Sequence, residues 1–181
     1  MDRKITGIII HCTATRAEWW GGKRTSEKVA EIRRWHLDRG WRDIGYHFLI
    51  DRDGTIAKGR PVEQTGAHVA GHNTGTIGIS LFGGHGSAET DQFSDNFTPA
   101  QDRALRKLIA DLRGQFGSVP LSGHNEYAAK ACPGFTVAQW WLQKPARQEQ
   151  PAFVDHSPEK PTQSPLAALF AAIAALFRRK P

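Results

Sequence analysis

Residues 7–15 read GIIIHCTAT, and this stretch decides the fold. Three successive isoleucines form an apolar, β-branched run of the kind that a sheet buries on both faces, so a strand is expected from Ile5 to Cys12. Alternation then sends His11 and Cys12 to opposite faces, with Cys12 in the core. Working outward, a Trp-Gly loop leads to Ser26, which is placed to cap a helix. Val29, Ile32 and His36 share one face of that helix, and Gly40 ends it. His36 is read as a packing or surface residue. Tyr46–Asp51 and Thr55–Lys58 flank the turn signal RDG and are expected to pair as a hairpin. Thr76–Phe82 is a further apolar strand. Thr98, Pro99 and Gln101 open a second helix with a capping box, and Leu105, Leu108, Ile109, Leu112 and Phe116 recur on its inner face. Thr136 and Gln139 repeat the signature ahead of a short helix holding Trp140 and Trp141. The alternation indicates a single α/β domain with a central sheet flanked by helices.

The chain has 181 residues, 39% of them hydrophobic, which suffices for one sizeable core, expected over residues 1–144. The formal charge of +6 favours an anionic partner surface, and the bacterial cell envelope qualifies. Nucleic acid is not expected as a partner: basic and acidic residues are interspersed, and no recognised nucleic-acid motif occurs. With only two cysteines, Cys12 and Cys132, a structural disulfide is not expected. The first strand is expected to begin within five residues of the start, without a charged, apolar leader ahead of it, so a signal peptide is not expected.

From Pro145 the composition changes. Five prolines punctuate a polar stretch expected to form an extended linker over 145–165. Residues 166–181 read LAALFAAIAALFRRKP, in which Leu166, Leu169, Phe170, Ile173, Leu176 and Phe177 form one helical stripe before a basic end. The apolar part makes a helix of roughly 18 Å, short of the ~30 Å of a bilayer core. An interfacial helix on an anionic membrane surface is the first expectation, with self-association or docking on the domain as alternatives.

Three residues suggest chemistry. His11 closes the first strand, and residues 122–134, SGHNEYAAKACPG, place His124 and Cys132 in one turn-rich loop. Two imidazoles and a thiolate suit Zn²⁺, one ion per chain, and leave its fourth position open for water, as in catalytic sites. Each residue taken singly also suits a structural role: a bonded strand-end histidine, a loop histidine, a small buried thiol. Tyr46 alone reads as a strand packing residue and Lys130 as a solvated lysine. Strand alternation would put Tyr46 and Phe48 on one face and His47, read as structural, on the other.

The motifs HCTAT, GYHFLIDRDGTIAKGR, GAHVAGHNTGTIGISL, NFTPAQ, GHNEYAAKACPGF and WW follow in order within a stretch of about Ile5 to Trp141. On them the chain resembles the zinc-dependent N-acetylmuramoyl-L-alanine amidases of the type 2 amidase and peptidoglycan recognition protein superfamily, in particular its T7 lysozyme-type branch of endolysins. The resemblance implies a mixed central sheet, with His11, His124 and Cys132 as zinc ligands and Tyr46 and Lys130 as catalytic partners. It further implies that His68 contacts substrate or the site rim and that Asn73 shapes that substrate-binding loop. Water attack on an amide builds an oxyanion, which an ammonium such as Lys130 stabilises. The implied substrate is peptidoglycan, cut between N-acetylmuramic acid and L-alanine by an enzyme held in the host cytoplasm until lysis. A non-catalytic recognition module and a wall-recycling amidase are the alternatives. Glu126 is read as an exposed carboxylate or a proton carrier, and no paired-carboxylate glycosidase site is found.

Overall fold

The computed structural model describes residues 3–143. The chain divides into two units, Met1–Ala146 and Arg147–Pro181. The expected linker over 145–165 and apolar helix over 166–181 lie outside the described residues.

The isoleucine run forms β1 (Gly7–Cys12), buried along its whole length. It pairs in parallel with β4 (Thr76–Leu81), from Gly7↔Thr76 to Cys12↔Leu81, and with β5 (Leu121–Gly123) from Ile8↔Leu121. On the other side of β4 lies β2 (Phe48–Ile50), also parallel, and β3 (Ile56–Lys58) closes that edge as the antiparallel arm of the expected hairpin. The order β3-β2-β4-β1-β5 is a five-stranded mixed sheet.

Helices cover both faces, which explains why β1 and β4 are apolar throughout rather than alternating. On one face Ile8, Ile10, Cys12, Ile77, Ile79 and Leu81 meet Leu105, Leu108, Ile109 and Leu112 of α3 (Pro99–Phe116). On the other, Leu49 and Phe82 meet Val29 and Ile32 of α1 (Thr25–Asp38). Each such side chain, fully buried, contributes about 1.5–3 kcal/mol. The short α2 (Phe93–Asn96) and α4 (Val137–Leu142) add Phe93 and Trp140 to the α3 side.

Thr98 caps α3 as expected, accepting from the Gln101 N–H at 3.1 Å. Gln101 also reaches the sheet: its wholly buried Nε2 donates to the Ile50 and Phe82 carbonyls at 3.1 and 2.9 Å, tying α3 to the ends of β2 and β4. Two expected caps differ. Helix α1 starts before Ser26, at N-cap Arg24, whose N–H is met by Glu27 at 3.0 Å. The Thr25 hydroxyl bonds Asp51 at 2.8 Å, and Lys28 pairs with the same carboxylate at 2.9 Å, so this first turn is fixed by the hairpin. Thr136 holds the N-cap position of α4 without a side-chain bond. Among the described residues no helix is long and apolar enough to cross a membrane.

Candidate metal centre and cleft

His11, His124 and Cys132 come together although the last two are more than a hundred residues from the first. His11 is the penultimate residue of β1, and parallel pairing of β5 with β1 delivers the chain to a 3-10 turn that begins at His124. Glu126 accepts the Gly123 N–H at 2.7 Å and so caps that turn. The loop beyond it brings Cys132 back to the end of β1, where the Cys12 N–H donates to Cys132 Sγ at 3.3 Å. That N–H favours the thiolate, but the neighbouring Cys12 thiol and burial outweigh it and push the Cys132 thiol up, so a bound cation would have to displace its proton. Nδ1 of His11 lies 3.2 Å from Nδ1 of His124 and 3.8 Å from Cys132 Sγ. One ligand atom from each of the three residues falls within 4.8 Å of the others, and among the described residues this is the one such His, Cys or acidic group.

The electrostatics suit a cation. Burial first, then His68, His124 and Lys130, hold His11 well below its ordinary pKa, and burial with Lys130 lowers His124. Both imidazoles are thus neutral, as ligands must be.

A cleft of about 430 Å³ opens beside these residues, and Tyr46 and Lys130 both line it. The Tyr46 ring lies 5.2 Å from the His11 ring, centroid to centroid. Burial, reinforced by the Cys132 and Cys12 sulfurs, pushes its hydroxyl above the usual tyrosine range, so the phenol keeps its proton. Lys130 is exposed at the cleft wall. Tyr46 reaches this position differently from the expectation. Because β2 starts only at Phe48, strand alternation does not extend to Tyr46: Phe48 packs on the α3 side and Tyr46 on the α1 side. His47 is structural, accepting from the Gly78 N–H at 2.9 Å through Nδ1 and donating from Nε2 to the Gln64 carbonyl at 3.0 Å. His36 likewise packs, accepting the Gly45 N–H at 3.0 Å.

His68 and Asn73 border the cleft, and the His68 ring nitrogens and the Asn73 carboxamide oxygen are engaged within the protein. The Asn73 carboxamide oxygen accepts the His68 and Val69 N–H groups at 2.7 and 2.9 Å, which shapes the loop as expected. His68 is 7% exposed, and its Nδ1 lies 3.0 Å from His11 Nε2. Burial, then His47, lowers its pKa to about 3, so it too is neutral. Arg39, Trp41 and Tyr127 also line the cleft and were not singled out in the sequence. The signal available was Trp41 directly after the helix-ending Gly40, a large aromatic in a polar turn. Trp41 and Tyr127 remain 37% and 39% exposed, unlike the core aromatics.

A five-stranded mixed sheet with two histidines and a cysteine converging at the end of β1 defines a class of hydrolase fold, and the comparisons agree. The chain belongs to the N-acetylmuramoyl-L-alanine amidase family, whose model matches residues 1–135. Among its relatives is the endolysin of Klebsiella phage KP32, 43% identical over 134 residues, which span 74% of this chain and 83% of that one. The endolysin of Escherichia phage T7 is 42% identical with the same coverage. Among solved structures, the N-acetylmuramoyl-L-alanine amidase LysC from Clostridium intestinale URNW superposes with a TM-score of 0.60 at 30% identity, over 74% of this chain and 79% of that chain.

Proposed function

We propose that this protein is a zinc-dependent phage endolysin. It hydrolyses the amide between the lactyl group of N-acetylmuramic acid and L-alanine of the peptidoglycan stem. The observation that carries the reading is the convergence of His11, His124 and Cys132 beside a cleft lined by Tyr46 and Lys130. Family membership and the endolysin relatives support it.

The donor set fits zinc. Tetrahedral bonds of about 2.0–2.1 Å to nitrogen and about 2.3 Å to sulfur imply N···N and N···S edges of about 3.3 and 3.6 Å. The corresponding edges here are 3.2 and 3.8 Å. Three protein donors leave one position open, the arrangement of catalytic sites. When bound, zinc supplies Lewis-acid polarisation of the amide and activation of water at neutral pH.

The chain's own residues do the rest. Lys130 presents an ammonium at the cleft wall, where it stabilises the negative charge that grows on the carbonyl oxygen more than it stabilises the neutral substrate. Tyr46 keeps its proton and therefore acts as a hydrogen-bond donor rather than as a phenolate base. The walls hold Trp41 and Tyr127, apolar faces against which a glycopeptide can lie.

In the proposed setting the enzyme accumulates in the host cytoplasm and meets the wall once the membrane is breached. Residues 166–181 add an anionic membrane surface as a second partner.

Mass spectrometry of digested peptidoglycan tests the reaction. Free stem peptides beginning with alanine, together with peptide-free glycan carrying intact lactyl groups, are expected. Release of disaccharide-peptides alone would mark a glycosidase and contradict the proposal.

A further inference from the structure

His11 has two ring nitrogens, and both are used. Nδ1 faces His124 and Cys132, while Nε2 points away from them to Nδ1 of His68, 3.0 Å distant. A nitrogen that binds a metal carries no proton. A neutral His11 that holds zinc through Nδ1 therefore keeps its proton on Nε2 and donates it to His68. His68, accepting at Nδ1, carries its own proton on Nε2, which lies 3.5 Å from Thr76 Oγ1. The Thr76 hydroxyl gives its proton to the His72 carbonyl at 2.6 Å, leaving a lone pair for His68. Donation thus runs in one direction, from His11 through His68 and Thr76 to a backbone carbonyl.

The fold is shaped around the His68 ring. A Cβ at Gly78 would sit 2.5 Å from His68 Cγ, and one at Gly66 would sit 2.6 Å from Cδ2. Both are far inside contact distance, so only glycine at these two positions lets the ring lie against β4 within reach of His11. The Asn73 oxygen pins the backbone that carries the ring. Two glycines and one hydroxyl meet the His68 ring, one carboxamide holds its backbone, and its Nδ1 faces His11.

We infer that His68 is a positioning residue for the metal centre: it fixes the His11 tautomer and ring plane that present Nδ1 to zinc, and it does not serve chiefly as a substrate contact. The inference rests on the zinc reading above. Partners behind metal-bound histidines are commonly carboxylates or carbonyls, and their loss typically weakens metal binding 10–100-fold. Here a neutral imidazole fills that place, so orientation is achieved without adding a negative charge to the site.

The test is zinc affinity, measured on the full chain at neutral pH by competition with a chromophoric chelator, for wild type, His68→Phe and His68→Gln. Phe fills the space and offers no acceptor, so zinc binding is expected to weaken roughly 10–100-fold. Gln carries an amide oxygen that can accept the His11 proton and is expected to recover most of the loss. Thermal unfolding of the two metal-free variants is expected to be alike. If His68→Phe does not fold, His68→Met replaces it under the same criteria. Affinity in the non-accepting variant equal to wild type would overturn the inference, as would equal loss in that variant and His68→Gln, the mark of simple packing. Wild type that itself binds no zinc would overturn the zinc reading and this inference with it, a result distinct from either of the others.

Discussion

His11 Nδ1 and His124 Nδ1 lie 3.2 Å apart across a sequence separation of 113 residues. The parallel register of β1 and β5 is what spans that distance, because Ile10 pairs with Gly123 and each strand hands its next residue to the same point. Two protonated imidazoles would repel at this range, and burial keeps both neutral. A neutral pair can share the cation of the proposed site without carrying charge itself.

Lys130 and Tyr46 are expected to act on the reaction and not on metal retention. Lys130→Ala should lower kcat by about 10²–10³-fold, the usual cost of losing a donor to an oxyanion. Tyr46→Phe should lower kcat as well. Metal analysis of both purified variants should give the same zinc content as wild type, and loss of zinc alongside activity would place these residues in the ligand set instead.

Asp51 ties α1 to the hairpin and should matter for stability alone. Its carboxylate pairs with the buried Lys28 ammonium at 2.9 Å and accepts from the Thr25 hydroxyl at 2.8 Å. Asp51→Ala strands a buried cation, so urea unfolding should show a loss of about 3–5 kcal/mol. A loss under about 1 kcal/mol would mean that the pair behaves as a solvated surface bridge.

Stability should decline in mild acid through His36 and His47. Burial pushes both down to about 4, and each uses Nδ1 to accept a backbone N–H. Their folded values lie below the unfolded value of about 6.5, so the unfolded chain takes up protons first as pH falls. Their contribution is full above about pH 7 and is lost between about pH 6.5 and 4, by up to about 3 kcal/mol for each histidine. His47→Asn keeps an acceptor near Nδ1 and cannot titrate, so its melting temperature should change less over that range than that of wild type. Equal slopes would show that His47 does not contribute.

The tail is expected to seek membranes. Vesicles containing anionic lipid should bind the full chain, bind it less at high salt, and fail to bind a chain ending at residue 165. Undiminished binding by the shortened chain would place the membrane contact elsewhere.

Much of the fold was legible because its strongest signals are local. The isoleucines of β1 and the Thr98–Gln101 box each identify an element from a few adjacent residues. Strand β5 was not, since Leu121, Ser122 and Gly123 form three residues without a pattern and owe their conformation to pairing with β1. The face on which Tyr46 lies was misjudged for a related reason: alternation holds only inside a strand, and β2 starts two residues later. In the site, the grouping of His11, His124 and Cys132 was readable from residue type and motif. The partner behind it was not, because the link between His68 and His11 depends on the space left by Gly78 in the neighbouring strand. A sequence displays donors and acceptors but not which of them face one another.

The most direct test of the central claim follows new alanine amino termini released from purified peptidoglycan. Folded full-length protein is compared before chelation, after removal of metal, and after return of one equivalent of zinc. Release that stops on stripping and resumes with zinc is the predicted result. Undiminished release by the metal-free protein, or none by the zinc-loaded protein while it still binds the wall, would contradict the account.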